Sequence, residues 1–151
     1  MRTFTAVVFG VCSVMLIGAA TAPAATNLVA NPGFEGSGSG ALSSWGGSAG
    51  TLSLVAGDGG GNAARLTATG TGQMYIYTSS KPAKSIAAGA PYTAGGRVSS
   101  ISAGQSVWLQ IKEVPAGGSS TVGSAKQCVT ATSAWQSFPA VNYRPRPQGI
   151  L

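Results

Sequence analysis

The chain has 151 residues, nine Lys plus Arg against three Asp plus Glu, no His, two Cys and a formal net charge of +6. The lack of histidine excludes any catalytic triad or metal site built on that residue, and one ordinary domain is the largest unit this length supports. Charged residues are only 8% of the chain while Gly (23) and Pro (8) make about a fifth of it, a profile that points to a turn-rich, all-β, extracellular protein.

Residues 1–24 read as a secretory signal peptide. Arg2 supplies a short basic start, Ala6 to Ile17 an apolar run, and Ala22-Pro23-Ala24 the small residues of a cleavage site. The apolar run is shorter than the roughly 20 residues of a spanning helix, which disfavours a membrane anchor. A lipid anchor at Cys12 would leave almost no apolar region before it. Cleavage leaves Cys128 as the one cysteine, expected as a buried free thiol, with an intermolecular bridge or a lost partner as alternatives.

Beyond the signal, runs of alternating apolar and polar residues separated by Gly, Ser and Asn clusters predict strands over 27–30, 52–56, 64–69, 73–78, 92–100, 106–114, 123–130 and 136–143. Many short strands with no helical period predict an antiparallel β-sandwich. The clusters at Gly36–Gly40 and Gly57–Asn62 read as loops, since no Lys-Ser or Lys-Thr pair follows to cradle a phosphate. Asp58 and Asn62 carry oxygen atoms on such a loop and are weak candidates for calcium. The cations Arg65, Lys81, Lys84, Arg97, Lys112 and Lys126 are scattered singly, so nucleic acid is not an expected partner.

Side chains alternate between the two faces of a strand. In the 106–114 strand, Val107, Leu109 and Ile111 face inward and Trp108, Gln110 and Lys112 outward. In the 73–78 strand, Met74 and Ile76 face inward and Gln73, Tyr75 and Tyr77 outward; in the 92–100 strand, Tyr92, Ala94, Gly96 and Val98 face inward, Arg97 and Ser99 outward. The candidate ligand-binding residues are therefore Tyr75, Tyr77, Arg97, Trp108 and Gln110. Aromatic faces pack on the C–H side of a pyranose while amide and guanidinium groups bond its hydroxyls. The competing reading makes these rings packed or edge aromatics of high β-propensity. Trp45, Trp135 and Phe138, beside turns and strand starts, are expected in the core.

The opening Asn27-Leu28-Val29-Ala30-Asn31-Pro32-Gly33-Phe34-Glu35, followed by a Gly/Ser turn, Leu42 and Trp45, resembles the start of carbohydrate-binding modules of families 4, 9, 16 and 22. Tyr92-Thr93-Ala94, the Val107–Ile111 strand and Trp135-Gln136-Ser137-Phe138 extend the resemblance over residues 27–143. It implies a galactose-binding-like β-jelly roll whose concave sheet binds soluble or amorphous polysaccharide, usually as a non-catalytic, monomeric appendage of secreted glycoside hydrolases. It also implies a structural calcium ion, for which Glu35 matches the motif acid, while the later acidic partner has no counterpart. Arg97 and Ser99 stand where many such modules place a Trp and an Arg, and some carry a cysteine facing the position of Cys128. After Tyr143 the chain runs Arg144-Pro145-Arg146-Pro147-Gln148-Gly149-Ile150-Leu151, an aberrant tail whose prolines cannot extend a ladder, so a closing strand is expected to be missing.

An enzyme is disfavoured by inventory. Glu35, Asp58 and Glu113 are the only carboxylates, spread over an opening motif, a glycine loop and a strand end, whereas glycoside hydrolysis ordinarily uses two flanking one bond. A secreted polysaccharide-binding module is the first expectation. A secreted structural or adhesion domain without glycan binding is the second, and a ligandless gene remnant the third.

Overall fold

The computed structural model describes residues 26–83, 86–115 and 118–146. The expected signal peptide, and residues 147–151 of the tail, lie outside the described residues. The described chain is all-β and antiparallel. Its strands are β1 (Trp45–Ser48), β2 (Gly50–Ala56), β3 (Asn62–Ala68), β4 (Tyr75–Thr78), β5 (Tyr92–Ala94), β6 (Arg97–Val98), β7 (Gln105–Glu113), β8 (Gly123–Ala131), β9 (Gln136–Ser137) and β10 (Val141–Tyr143). Short 3-10 turns cover Gly38–Leu42 and Asp58–Gly60.

Pairing is β1 with β4, β2 with β3, β5 with β10, β6 with β9 and β7 with β8, all antiparallel. The strands expected over 92–100 and 136–143 each split in two, and the register explains why. Ala94 pairs with Val141 and Arg97 with Ser137, so three residues, Phe138-Pro139-Ala140, oppose the two glycines Gly95-Gly96. That is a β-bulge, placed where Pro139 has no N–H to give the ladder. Phe138 N still donates to Gly96 O at 2.9 Å, keeping the two halves aligned. β1 and β2 likewise form one path bent at Ala49, whose φ of 56° is costly for a residue with a Cβ. The bend lets β1 leave β3 and pair with β4.

The expected strand at 27–30 does not form; residues 26–31 are irregular. The opening loop is instead organised by Asn31. Its Nδ2 donates to the carbonyls of Glu35 (3.0 Å) and Ala41 (2.9 Å), and its Oδ1 accepts from Glu35 N at 2.7 Å. Its own carbonyl accepts from Trp45 Nε1 at 3.0 Å and from Phe34 N at 3.2 Å. Trp45, Trp135 and Phe138, expected in the core, are half-buried instead; Trp45 packs at a tilt against Phe34, with ring centroids 4.9 Å apart. Asn31 adopts φ 47°, a conformation asparagine tolerates better than most residues. Asn62 extends the clamp, donating from Nδ2 to Phe34 O (2.8 Å) and Gly36 O (3.1 Å), which fixes the loop to β3.

Burial is shallow. Ala41, Ala63, Ala131, Val141 and Pro145 are the buried apolar side chains among the described residues, and Val141 is the largest fully enclosed one. β10 packs on β7 and β8, and Val107, Leu109 and Ile111 are half-buried, on the inward side as the alternation required. Gly96, expected inward, is exposed because it sits in the bulge, and Ser99, expected outward, is half-buried just beyond β6. The start of the tail read as aberrant packs into the fold: Arg144 Nη1 donates to Gly89 O at 3.0 Å, Gly89 N donates to Pro145 O at 2.8 Å, and Pro145 is buried.

Glu113 ends the inward row of β7 and is 9% exposed. Its carboxylate accepts a hydrogen bond from the Tyr143 hydroxyl on β10. Gly123, directly across from Glu113, makes room, because a Cβ there would fall onto the Tyr143 hydroxyl. The hydrogen bond to Glu113, then burial, raises the phenol above its ordinary 10.0, with Arg146 opposing. A raised phenol value means that the contact stabilises the fold fully below the unfolded value and is lost as pH rises through the folded one.

Two outcomes are expected. Asn31→Ala removes three side-chain bonds and should lower unfolding free energy by roughly 2 kcal/mol in urea titration. Tyr143→Phe should be less stable than the parent at neutral pH, with the difference shrinking above about pH 10 as the parent's phenol ionises; this is measured by denaturation across alkaline buffers.

Candidate functional site

The β1–β4 ribbon carries Tyr75 and Tyr77 on one face, 57% and 47% exposed, with ring centroids 5.9 Å apart and tilted by 48°. Tyr77 pairs with Gly46 and Tyr75 with Ser48. The ring of Tyr77 lies against Gly46: a Cβ there would come within 2.5 Å of the ring carbon bearing the hydroxyl. Glycine on one strand thus leaves room for the tyrosine ring of the other against the backbone, where the ring stays about half exposed.

The next pair, Gly47 and Ile76, faces the opposite way, since a Cβ on Gly47 would meet Leu66 Cδ1 at 2.9 Å and Leu52 Cβ at 3.4 Å. Met74 and Ile76 were expected inward. Ile76 has the inward direction yet remains 36% exposed, and Met74, just outside β4, is 47% exposed. The cause is the glycine partner: Gly47 offers no side chain to cover Ile76, and Leu66 reaches the backbone instead.

On β7–β8 the outward row of β7 faces that of β8. Trp108, 49% exposed, pairs with Cys128, Gln110 with Lys126, and Lys112 with Ser124. Lys126 Nζ stands 6.0 Å from the Trp108 ring centroid. Cys128, expected as a buried thiol, is exposed, because the register puts position 128 on the outer face beside Trp108.

Arg97 points outward from β6 as expected, but it is engaged. Its guanidinium forms an ion pair with Asp58 on the turn between β2 and β3, and Nη2 donates to Trp135 O at 3.2 Å. It acts as a tie between ribbons. The same pair occupies the Asp58 carboxylate, while Asn62 directs its amide to the opening loop, so these two residues do not form the calcium pair considered from the sequence. Glu35 lies in the exposed opening loop with its carboxylate folded over Gly33. Among the described residues no three acidic, cysteine or histidine side chains lie together.

The five candidate ligand-binding residues therefore fall on three ribbons: Tyr75 with Tyr77, Trp108 with Gln110, and Arg97 apart. Among the described residues no strand pairing or ring contact joins the first two groups. They are linked through Lys81, three residues past β4, whose Nζ donates to Pro115 O and Gly118 O in the β7–β8 connection, each at 3.3 Å. The sequence reading passed over Lys126 and Gly46; the register of β8 against β7 finds the first, and Trp45-Gly46-Gly47-Ser48 hides the second because glycine leaves no alternation to read. An open recess lined by Gly38, Ser39, Leu42, Leu52, Ser53 and Leu54 has neither aromatic ring nor charge.

If Gly46 exists to seat Tyr77, Gly46→Ala should cost about 1–2 kcal/mol in the parent and much less in a Tyr77→Ala background. A urea double-mutant cycle reads the difference.

No family model matches this chain, and no match was found among curated proteins or solved structures.

Proposed function

We propose that this chain is an exported, non-catalytic polysaccharide-binding β-domain of the kind appended to glycoside hydrolases, a jelly-roll sandwich that meets its ligand through exposed aromatic rings. The observation that carries the reading is Trp108: a half-exposed indole in the middle of the longest hairpin, with the Gln110 amide next to it on the same face. An indole that is costly to leave in water gains by covering the apolar side of a sugar, and the adjacent amide supplies a donor and an acceptor for hydroxyls. The exposed Tyr77 ring against Gly46, with Tyr75 beside it, offers a second aromatic surface of the same chemistry.

A secreted structural or adhesion domain is the second reading, favoured by Arg97, which the ion pair with Asp58 withdraws from ligand contact. Isothermal titration against a panel of neutral and acidic polysaccharides separates the two. Binding to at least one member is expected, with Trp108→Ala weakening it by about tenfold and far-UV circular dichroism unchanged. No heat with any member would favour the structural reading.

A further inference from the structure

We infer that the Trp108 face selects a uronate-bearing, anionic polysaccharide and that Lys126 and Lys112 determine this preference; the inference rests on the glycan-binding reading above. The argument is charge placement. The outer face of β7–β8 brings Trp108, Gln110, Lys112 and Lys126 together, and both lysines are exposed. Among the described residues neither ammonium has an ion-pair or hydrogen-bond partner, in contrast to Lys81, which is bound to two carbonyls.

No acid of this chain lies on that face. Asp58 is paired with Arg97, Glu113 ends the inward row of β7 under Tyr143, and Glu35 lies in the opening loop. The hairpin therefore presents one apolar ring with Lys126 over it and Lys112 further along the same row, neither neutralised by an acid, an arrangement whose complement is an apolar ring bordered by anions. A uronic acid residue is that complement. Its C–H side covers the indole, while the carboxylate on C5 projects from the ring edge in the plane of the sugar. Lys126 Nζ lies over the indole ring, 6.0 Å from its centroid, and swings aside when a sugar takes that face, which carries the ammonium to that edge. Lys112 lies two positions beyond Gln110 along the same row of β7, roughly 13 Å of strand from Trp108, where a residue further along a polyuronate chain would bring its own carboxylate. A neutral glycan would leave both ammoniums without a partner, and a bare polyanion would leave the indole uncovered.

The test compares polygalacturonate with neutral galactan by titration calorimetry at low and moderate salt, using the parent, Lys126→Met, Lys112→Met and, as a control of equal charge change on β3, Arg65→Met. Polygalacturonate is expected to bind about tenfold more tightly than galactan at low salt, and to lose much of that advantage as salt screens the pairs. Lys126→Met should reduce the preference by about tenfold and Lys112→Met by less, while Arg65→Met stays within about twofold. Trp108→Ala should weaken both polymers alike. Equal affinity for the two polymers overturns the inference and leaves glycan binding standing. It also falls if Arg65→Met acts as strongly as Lys126→Met, which would mean diffuse charge, or if a single-stranded oligonucleotide competes as well as polygalacturonate. Absence of binding to both polymers, and to every other glycan tried, would remove the glycan reading with it.

Discussion

Asn31 uses the whole hydrogen-bonding capacity of its side-chain amide nitrogen, and its amide oxygen as well, on backbone groups of the loop that surrounds it, and its own carbonyl receives an indole and an amide. Among the described residues the largest fully enclosed side chain is a valine, and fixed polar contacts take over much of the positioning that large core residues provide elsewhere. The opening loop, the Trp45 ring and the start of β1 are located by one residue, and the ribbon that carries Tyr77 follows from where β1 is placed. Asn62 and the Arg97–Asp58 pair repeat the device at other junctions, tying β3 to the loop and the β2–β3 turn to β6.

The sequence made the fold class and the longest hairpin plain, and physical reasons separate what was legible from what was not. β7 alternates cleanly because Val107, Leu109 and Ile111 are half-buried while Trp108, Gln110 and Lys112 meet solvent. β1 was invisible since two of its four residues are glycine, and the break between β9 and β10 depends on a partner strand some forty residues away, which no local pattern records. The stretch at 27–30 has the composition of a strand, but its neighbours are claimed by the Asn31 loop.

The candidate site divides along the same line. Exposure of Trp108, Tyr75, Tyr77 and Gln110 follows from strand parity, a local property. Parity says nothing about which residues of other strands come near, so the capture of Arg97 by Asp58 and the approach of Lys126 to Trp108 had to come from three-dimensional pairing. Cys128 shows the same limit: residue type suggests the interior, whereas register assigns the surface.

Gly46 and Gly47 are neighbours in the chain that serve opposite sides of one thin ribbon, the first under a tyrosine ring and the second against Leu66. Because no side chain of either residue passes between the two sides, changes on one are transmitted to the other only through the backbone. The outer ring can be exchanged during evolution for a larger or more polar one without repacking the leucines behind it. Recognition and foldability are in this sense uncoupled at that ribbon, which leaves ligand choice free to drift while the architecture is kept.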